Sequence, residues 1–126
     1  MAGSDPDIVV LTAPIDRADL ARLVARFFGD MVKYVVDVRL GMVAVGGELH
    51  ADAEQVLLAT GSRQADLWGA NYLPGRGRDG CVEYTSLINI SPARGNRTME
   101  IADDGIRARV RELTFLLIGE GAEIGE

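Results

Sequence analysis

Apolar positions along the chain follow two different periods. Ile8, Val9, Val10 and Leu11 form an unbroken apolar run ahead of Pro14. So short a run, closed by a residue without an N–H for a central ladder, predicts a strand over 7–13 buried on both faces. Leu20, Leu23, Val24, Phe27 and Phe28 then recur at i, i+3, i+4, i+7 and i+8, which is one stripe of an amphipathic helix. Asp16 is placed to cap that helix, Asp19 sits near the positive end of its dipole, and Gly29 supplies the stop. From Met31 the period falls to two. Tyr34, Val36 and Val38 alternate with Lys33, Val35 and Asp37, and Arg39, Leu40 and Gly41 make a short turn into a partner strand at 42–45. The hairpin ends at Gly46 and Gly47, where the backbone can turn sharply or approach another segment closely.

Asp52 and Gln55 stand at capping-box spacing ahead of Val56, Leu57 and Leu58, with Gly61 behind them, which predicts a second, shorter helix. Residues 67–73 and 82–90 read as a second strand pair, and 74–80, with three glycines and a proline, reads as the loop between them. Another loop is expected at 91–98, followed by a short extended piece at 99–101. Asp103 can cap a last helix in which Ile106, Val110, Leu113 and Leu117 keep helical spacing while Arg107, Arg109 and Arg111 project elsewhere. Residues 1–6 and 119–126 read as mobile tails.

The predicted order is β-α-β-β-α-β-β-α. Two hairpins impose antiparallel pairing, and helical crossovers link the other strands. The expected architecture is therefore a single α+β domain over 1–126, a mixed or antiparallel sheet with helices packed on one face. A ferredoxin-like core with an added strand and a C-terminal helix satisfies that order, and other strand orders stay open.

Composition narrows the setting. With 126 residues, 48% of them hydrophobic, the chain suits one core that removes roughly two thirds of its unfolded surface from water. A formal charge of −6 opposes attraction to a polyanion, so no nucleic-acid partner is expected. The single Cys81 excludes an internal disulfide and gives too few thiolates for a structural zinc site, which fits a reducing, cytoplasmic setting. The first residues lack the basic and then apolar pattern of a leader, and no apolar run is long enough to span a bilayer, so no membrane association is expected.

Three segments, MVKYVVDVRLGMVAVGGELHADAE, GSRQADLWGANYLPG and VEYTSLINISPARGNRTMEI, resemble in this order an uncharacterised, mainly bacterial family, domain of unknown function five-six-seven-four. The resemblance spans roughly residues 17–118. It implies a shared fold, and it implies no activity, substrate or catalytic residue.

Candidate chemistry gathers at three places. If 48–54 is extended, Glu48, His50, Asp52 and Glu54 project to one side, where an imidazole among carboxylates can hold an oxygen-preferring divalent metal or move a proton. If the segment is helical, Glu48 pairs with Asp52 and His50 with Glu54 on nearly opposite sides, and no single shell forms. The second place is basic: Arg63, Asn96 and Arg97 are brought to one end of the second strand pair and suit a small anion. The third is the strand at 67–73, where Trp68 and Tyr72 share one face and can line a ligand pocket or a subunit contact, with Asn71 on the other face. These patterns support a domain that binds a small anionic ligand or a protein partner, as a homo-oligomer. The alternative is a hydrolase or lyase using Glu48, His50 and Asp52. A third reading is an interaction module built on an exposed strand edge or on the Trp68 and Tyr72 face. Neither glycine-rich stretch carries a P-loop or a dinucleotide-binding signature.

Overall fold

The apolar run at the start forms β1 (Ile8–Leu11) in a computed structural model that describes residues 7–124. The other strands are β2 (Val32–Asp37), β3 (Met42–Gly46), β4 (Leu67–Tyr72) and β5 (Val82–Glu83). They build one sheet in the order β1-β3-β2-β4-β5, with every neighbouring pair antiparallel. Helices α1 (Arg17–Phe27), α2 (His50–Ala59) and α4 (Asp104–Leu117) pack on the sheet, and α3 (Gly77–Gly80) is a single turn. The architecture is α+β.

The strand period of two sends side chains to two separate cores. Tyr34, Val36, Val43, Val45, Trp68 and Tyr72 meet Leu20, Leu23 and Val24 of α1 and Val110, Leu113 and Leu117 of α4. On the opposite face, Ile8, Val35, Ala44 and Leu67 meet Ala53 and Leu57 of α2. The expectation that all helices lie on one face is thus corrected. Helix α1 links β1 to β2 across β3, and α2 links β3 to β4 across β2, so both crossovers travel the same way across the sheet. They start from antiparallel strands, however, and crossovers of the same hand then place their helices on opposite faces. The ferredoxin-like arrangement needs β4 beside β1; here β4 flanks β2, and β1 remains an edge.

Local signals hold well at the first and last helices. Asp16 accepts a hydrogen bond from the Ala18 N–H at 2.8 Å, Asp103 accepts one from the Ile106 N–H at 2.9 Å, and Gly29 closes α1 by donating to the Val24 carbonyl at 2.7 Å. At Gly46 a Cβ would stand 2.1 Å from the Asp7 carbonyl oxygen, so the close approach expected there does require glycine.

Three segments differ from expectation. Helix α2 opens at His50 instead of Asp52, and Asp52 reaches back to accept from the Leu49 N–H at 3.3 Å. The strand expected over 82–90 ends at Glu83. Ser86 caps a short 3-10 turn by accepting from the Ile88 N–H at 3.2 Å. The Asn89 side chain then takes the place of a paired strand: its Oδ1 accepts from the Gly69 N–H at 2.8 Å and its Nδ2 donates to the Gly69 carbonyl at 2.9 Å. Serine and asparagine offer the backbone such local alternatives to a ladder. Finally, the segment expected to be a C-terminal tail is tied down in part. The Gly121 N–H donates to the Tyr72 hydroxyl at 2.9 Å, and its carbonyl accepts from the Gly75 and Gly77 N–H groups at 3.0 Å each. The expected tail at 1–6 and the last two residues of the chain lie outside the described residues.

Candidate binding cavity

On the α2 face, β4 carries a glycine where its neighbours carry side chains. A Cβ on Gly69 would stand 2.6 Å from Ser86 Cβ and 3.1 Å from His50 Cδ2, so its absence lets the loop after β5 and the first turn of α2 close over the sheet from two sides. Between them lies a cavity of about 290 Å³. Its floor is Lys33 of β2, Asn71 of β4, His50 and Ser86; its walls and mouth include Leu49, Leu87 and Met99. Those three are 58%, 71% and 40% exposed, a cluster of large apolar side chains in water around one opening.

His50 is the polar member of a buried helical stripe. With Ala53, Glu54 and Leu57 it forms the α2 face turned to the sheet, and it is only 8% exposed. Its Nε2 sits 2.8 Å from the Ala70 carbonyl oxygen. A carbonyl only accepts, which assigns the ring proton to Nε2 and leaves the lone pair on Nδ1. Burial pulls the imidazole below its ordinary value, the Ala70 carbonyl and the Asn71 side chain oppose that, and the Lys33 charge adds to it. The ring is therefore neutral near pH 7 and has a single proton, already given to Ala70.

That leaves Asn71 with half of its amide unused. Its Nδ2 donates to Glu83 Oε1 at 3.2 Å. Its Oδ1 is buried beside the ring and accepts no hydrogen bond among the described residues. Lys33 is directly opposite Asn71 in the β2–β4 register, on the same face. Its ammonium lies 5.2 Å from the centre of the Phe28 ring, and among the described residues it makes no ion pair. Lys33, which has no ion pair among the described residues, and Asn71, with its unused acceptor, thus both line an apolar-mouthed cavity.

The remaining residues singled out from the sequence fall elsewhere. Glu48 and Asp52 line a separate, open and polar depression of about 330 Å³ with Asp7, Arg26 and Gln55. Since the helix begins at His50, the imidazole turns to the sheet while these carboxylates face the other side, and the shell expected of Glu48, His50 and Asp52 does not assemble. Among the described residues no three His, Cys, Asp or Glu side chains are grouped to hold a metal. Arg63 donates to Asp66 at 3.2 Å, sharing that carboxylate with Arg39. Asn96 is buried and saturated: it donates to the carbonyls of Asn89, Thr98 and Glu100 and accepts from the Ala102 N–H. Arg97 is exposed. The depression near them is lined by Gln64, Ala65, Ser91 and Arg94, and the Arg94 guanidinium is committed to the carbonyls of Ala65, Leu67 and Ile88. Trp68 and Tyr72 do share a face, but it is the face of the larger core. Of that strand, it is Asn71 on the opposite side that reaches the cavity. Cys81 is buried, and burial pushes its thiol up, away from the reactive thiolate.

Ser86 approaches the Cδ2 side of the imidazole. The nitrogen next to Cδ2 is Nε2, which has no lone pair free to take a serine proton, so the two do not form a nucleophile and base. The sequence sets Asn71 on the face away from the expected pocket and assigns Lys33 and Ser86 no role. The available signal was Gly69, an isolated glycine inside a strand, which marks a close approach.

No curated protein and no solved structure matches the chain. One family model does, over residues 9–117, a range that contains every residue of the cavity floor and mouth, and the chain belongs to the family it describes, Protein of unknown function (DUF5674).

Proposed function

We propose that this chain is a binding domain for a small molecule with an apolar body, seated between the first turn of α2 and the loop after β5. The observation that carries this reading is the union of an exposed apolar mouth, Leu49, Leu87 and Met99, with a floor on which Asn71 Oδ1 is buried and unpartnered. A soluble domain has no packing reason to cluster three large apolar side chains around an opening. A buried acceptor without a partner is likewise a standing cost of about 1–3 kcal/mol that a bound donor removes. The site is pre-formed, since its walls stand on a helix and two strands and its loop is fixed by Asn89. This reading keeps the expected ligand binding and moves it from Arg63, Asn96 and Arg97 to the cavity between α2 and the loop after β5.

The test is titration of the protein with 4-methylpentanol, followed by the methyl resonance of Met99 and by thermal melting. Binding should shift the Met99 methyl and raise the melting temperature, because a ligand at about ten times its Kd adds about 1.4 kcal/mol to the native state. Leu87→Asp, at the most exposed wall position, should fold normally and lose both responses. A Met99 methyl that stays in place while the alcohol saturates the protein elsewhere would overturn the reading.

A further inference from the structure

We infer that the ligand of this cavity carries a carboxylate with a hydrogen-bond donor on the adjacent carbon, making it an apolar 2-hydroxy or 2-amino acid. The inference rests on the binding reading above and adds the chemistry of the head group.

The floor presents complementary demands at short range. Lys33 offers an ammonium that no described carboxylate neutralises. The first turn of α2 lines the same cavity, and there the N–H groups of His50 and Ala51 find no acceptor among the described residues, while those of Leu49 and Asp52 are used within the turn. Ammonium and free helical N–H groups favour an anion. Asn71 Oδ1 makes the opposite demand, for a donor, and His50 cannot meet it with its only proton on the Ala70 carbonyl. A simple carboxylate leaves Asn71 unsatisfied, and a simple alcohol leaves Lys33 unpaired.

Spacing decides how the two groups of the ligand are connected. Lys33 and Asn71 are directly opposed cross-strand neighbours on one face, so their Cβ atoms stand about 5 Å apart. From that spacing the flexible lysine stem can bring its ammonium to an anion held beside Asn71, and one compact head with the anion and the donor on neighbouring carbons then meets both. The apolar remainder then points out between Leu49, Leu87 and Met99, and a cavity of about 290 Å³ admits a branched aliphatic chain of a few carbons.

Four matched probes separate the contributions in titration calorimetry near neutral pH. These are 2-hydroxy-4-methylpentanoate and leucine, which carry both groups, 4-methylpentanoate, which lacks the donor, and 4-methylpentanol, which lacks the charge. At least one of the first two should bind ten-fold or more tighter than 4-methylpentanoate, and the tighter of them identifies the donor as hydroxyl or ammonium. Asn71→Ala should erase that ten-fold difference, and Lys33→Met should erase the advantage of the acids over 4-methylpentanol while the alcohol still binds. Retained alcohol binding shows that each variant is folded. If 4-methylpentanol binds the native protein as tightly as the acids, the head-group inference fails and the cavity reading stands. If none of the four moves the Met99 methyl, both fall.

Discussion

His50 occupies the first position of α2 with its ring under the helix, and its fate is set by one carbonyl of β4. That placement has a consequence for stability. In the unfolded chain the imidazole titrates near its ordinary value of 6.5, and in the fold burial lowers it. Below that pH the unfolded state binds more protons than the native state, so stability is fully present above about 6.5 and is lost as pH falls toward the lower folded value. Urea midpoints of the native protein should drop between about pH 7 and about pH 5 by more than those of His50→Gln. Parallel decline in the two would remove the buried neutral histidine from the account. Asn89 shows the same dependence on a distant backbone. Its side chain serves the Gly69 N–H and carbonyl and the Met99 carbonyl at once. Asn89→Leu keeps the volume and strands buried polar groups on β4, which should cost about 3 kcal/mol, read as a lower denaturant midpoint with an unchanged slope.

At the level of elements, α2 is the helix whose ends were hardest to read. Its cap position is Leu49, in the extended conformation a cap needs, with φ −123° and ψ 142°, and without a side-chain oxygen. The missing cap is made up in part by Asp52 reaching back from the first turn. A leucine there is a poor cap and stands in the wall of the cavity. Leu49→Ser should therefore stabilise the fold by about 1 kcal/mol, visible as a rise of roughly 3–4 °C in melting temperature, and should weaken the binding of 4-methylpentanol. Stabilisation without loss of binding would detach Leu49 from the site. The second strand pair shows the converse. Residues 82–90 have strand-like composition, yet Ser86 and Asn89 give their backbone and that of β4 other partners, and β5 ends after Glu83.

Across the whole molecule, order should fall away from the centre of the sheet. β2 is flanked by β3 and β4 and is covered on both faces, with Val32, Tyr34, Val35 and Val36 fully buried. β1 is an edge and β5 has two residues. Amide hydrogen exchange should find Tyr34, Val35 and Val36 opening only with global unfolding, and the edge amides exchanging at least about ten-fold faster. Equal protection at the β1 edge would mean that something covers it in solution.

The sequence alone determined what is local. The period of two in β2 and β3, the helical stripe of α1 and the caps at Asp16 and Asp103 were all legible, because each depends on residues within a turn or two of one another; at Gly46 the glycine marked a close approach, while the Asp7 carbonyl it meets was set by the sheet. It also carried the family and the α+β class. The tertiary structure decided the rest. Local periodicity says that a strand has an apolar face without saying which strand lies beside it, so the position of β4 next to β2, and with it α2 on the opposite face from α1, was open until the crossovers were laid across the sheet. The cavity depends on that choice. Lys33 and Asn71 become neighbours only through the β2–β4 register, and His50 and Ser86 meet only over Gly69. A buried histidine or an unpartnered amide oxygen is invisible in a linear pattern, since the carbonyl that fixes the one and the proton that the other lacks belong to residues far along the chain.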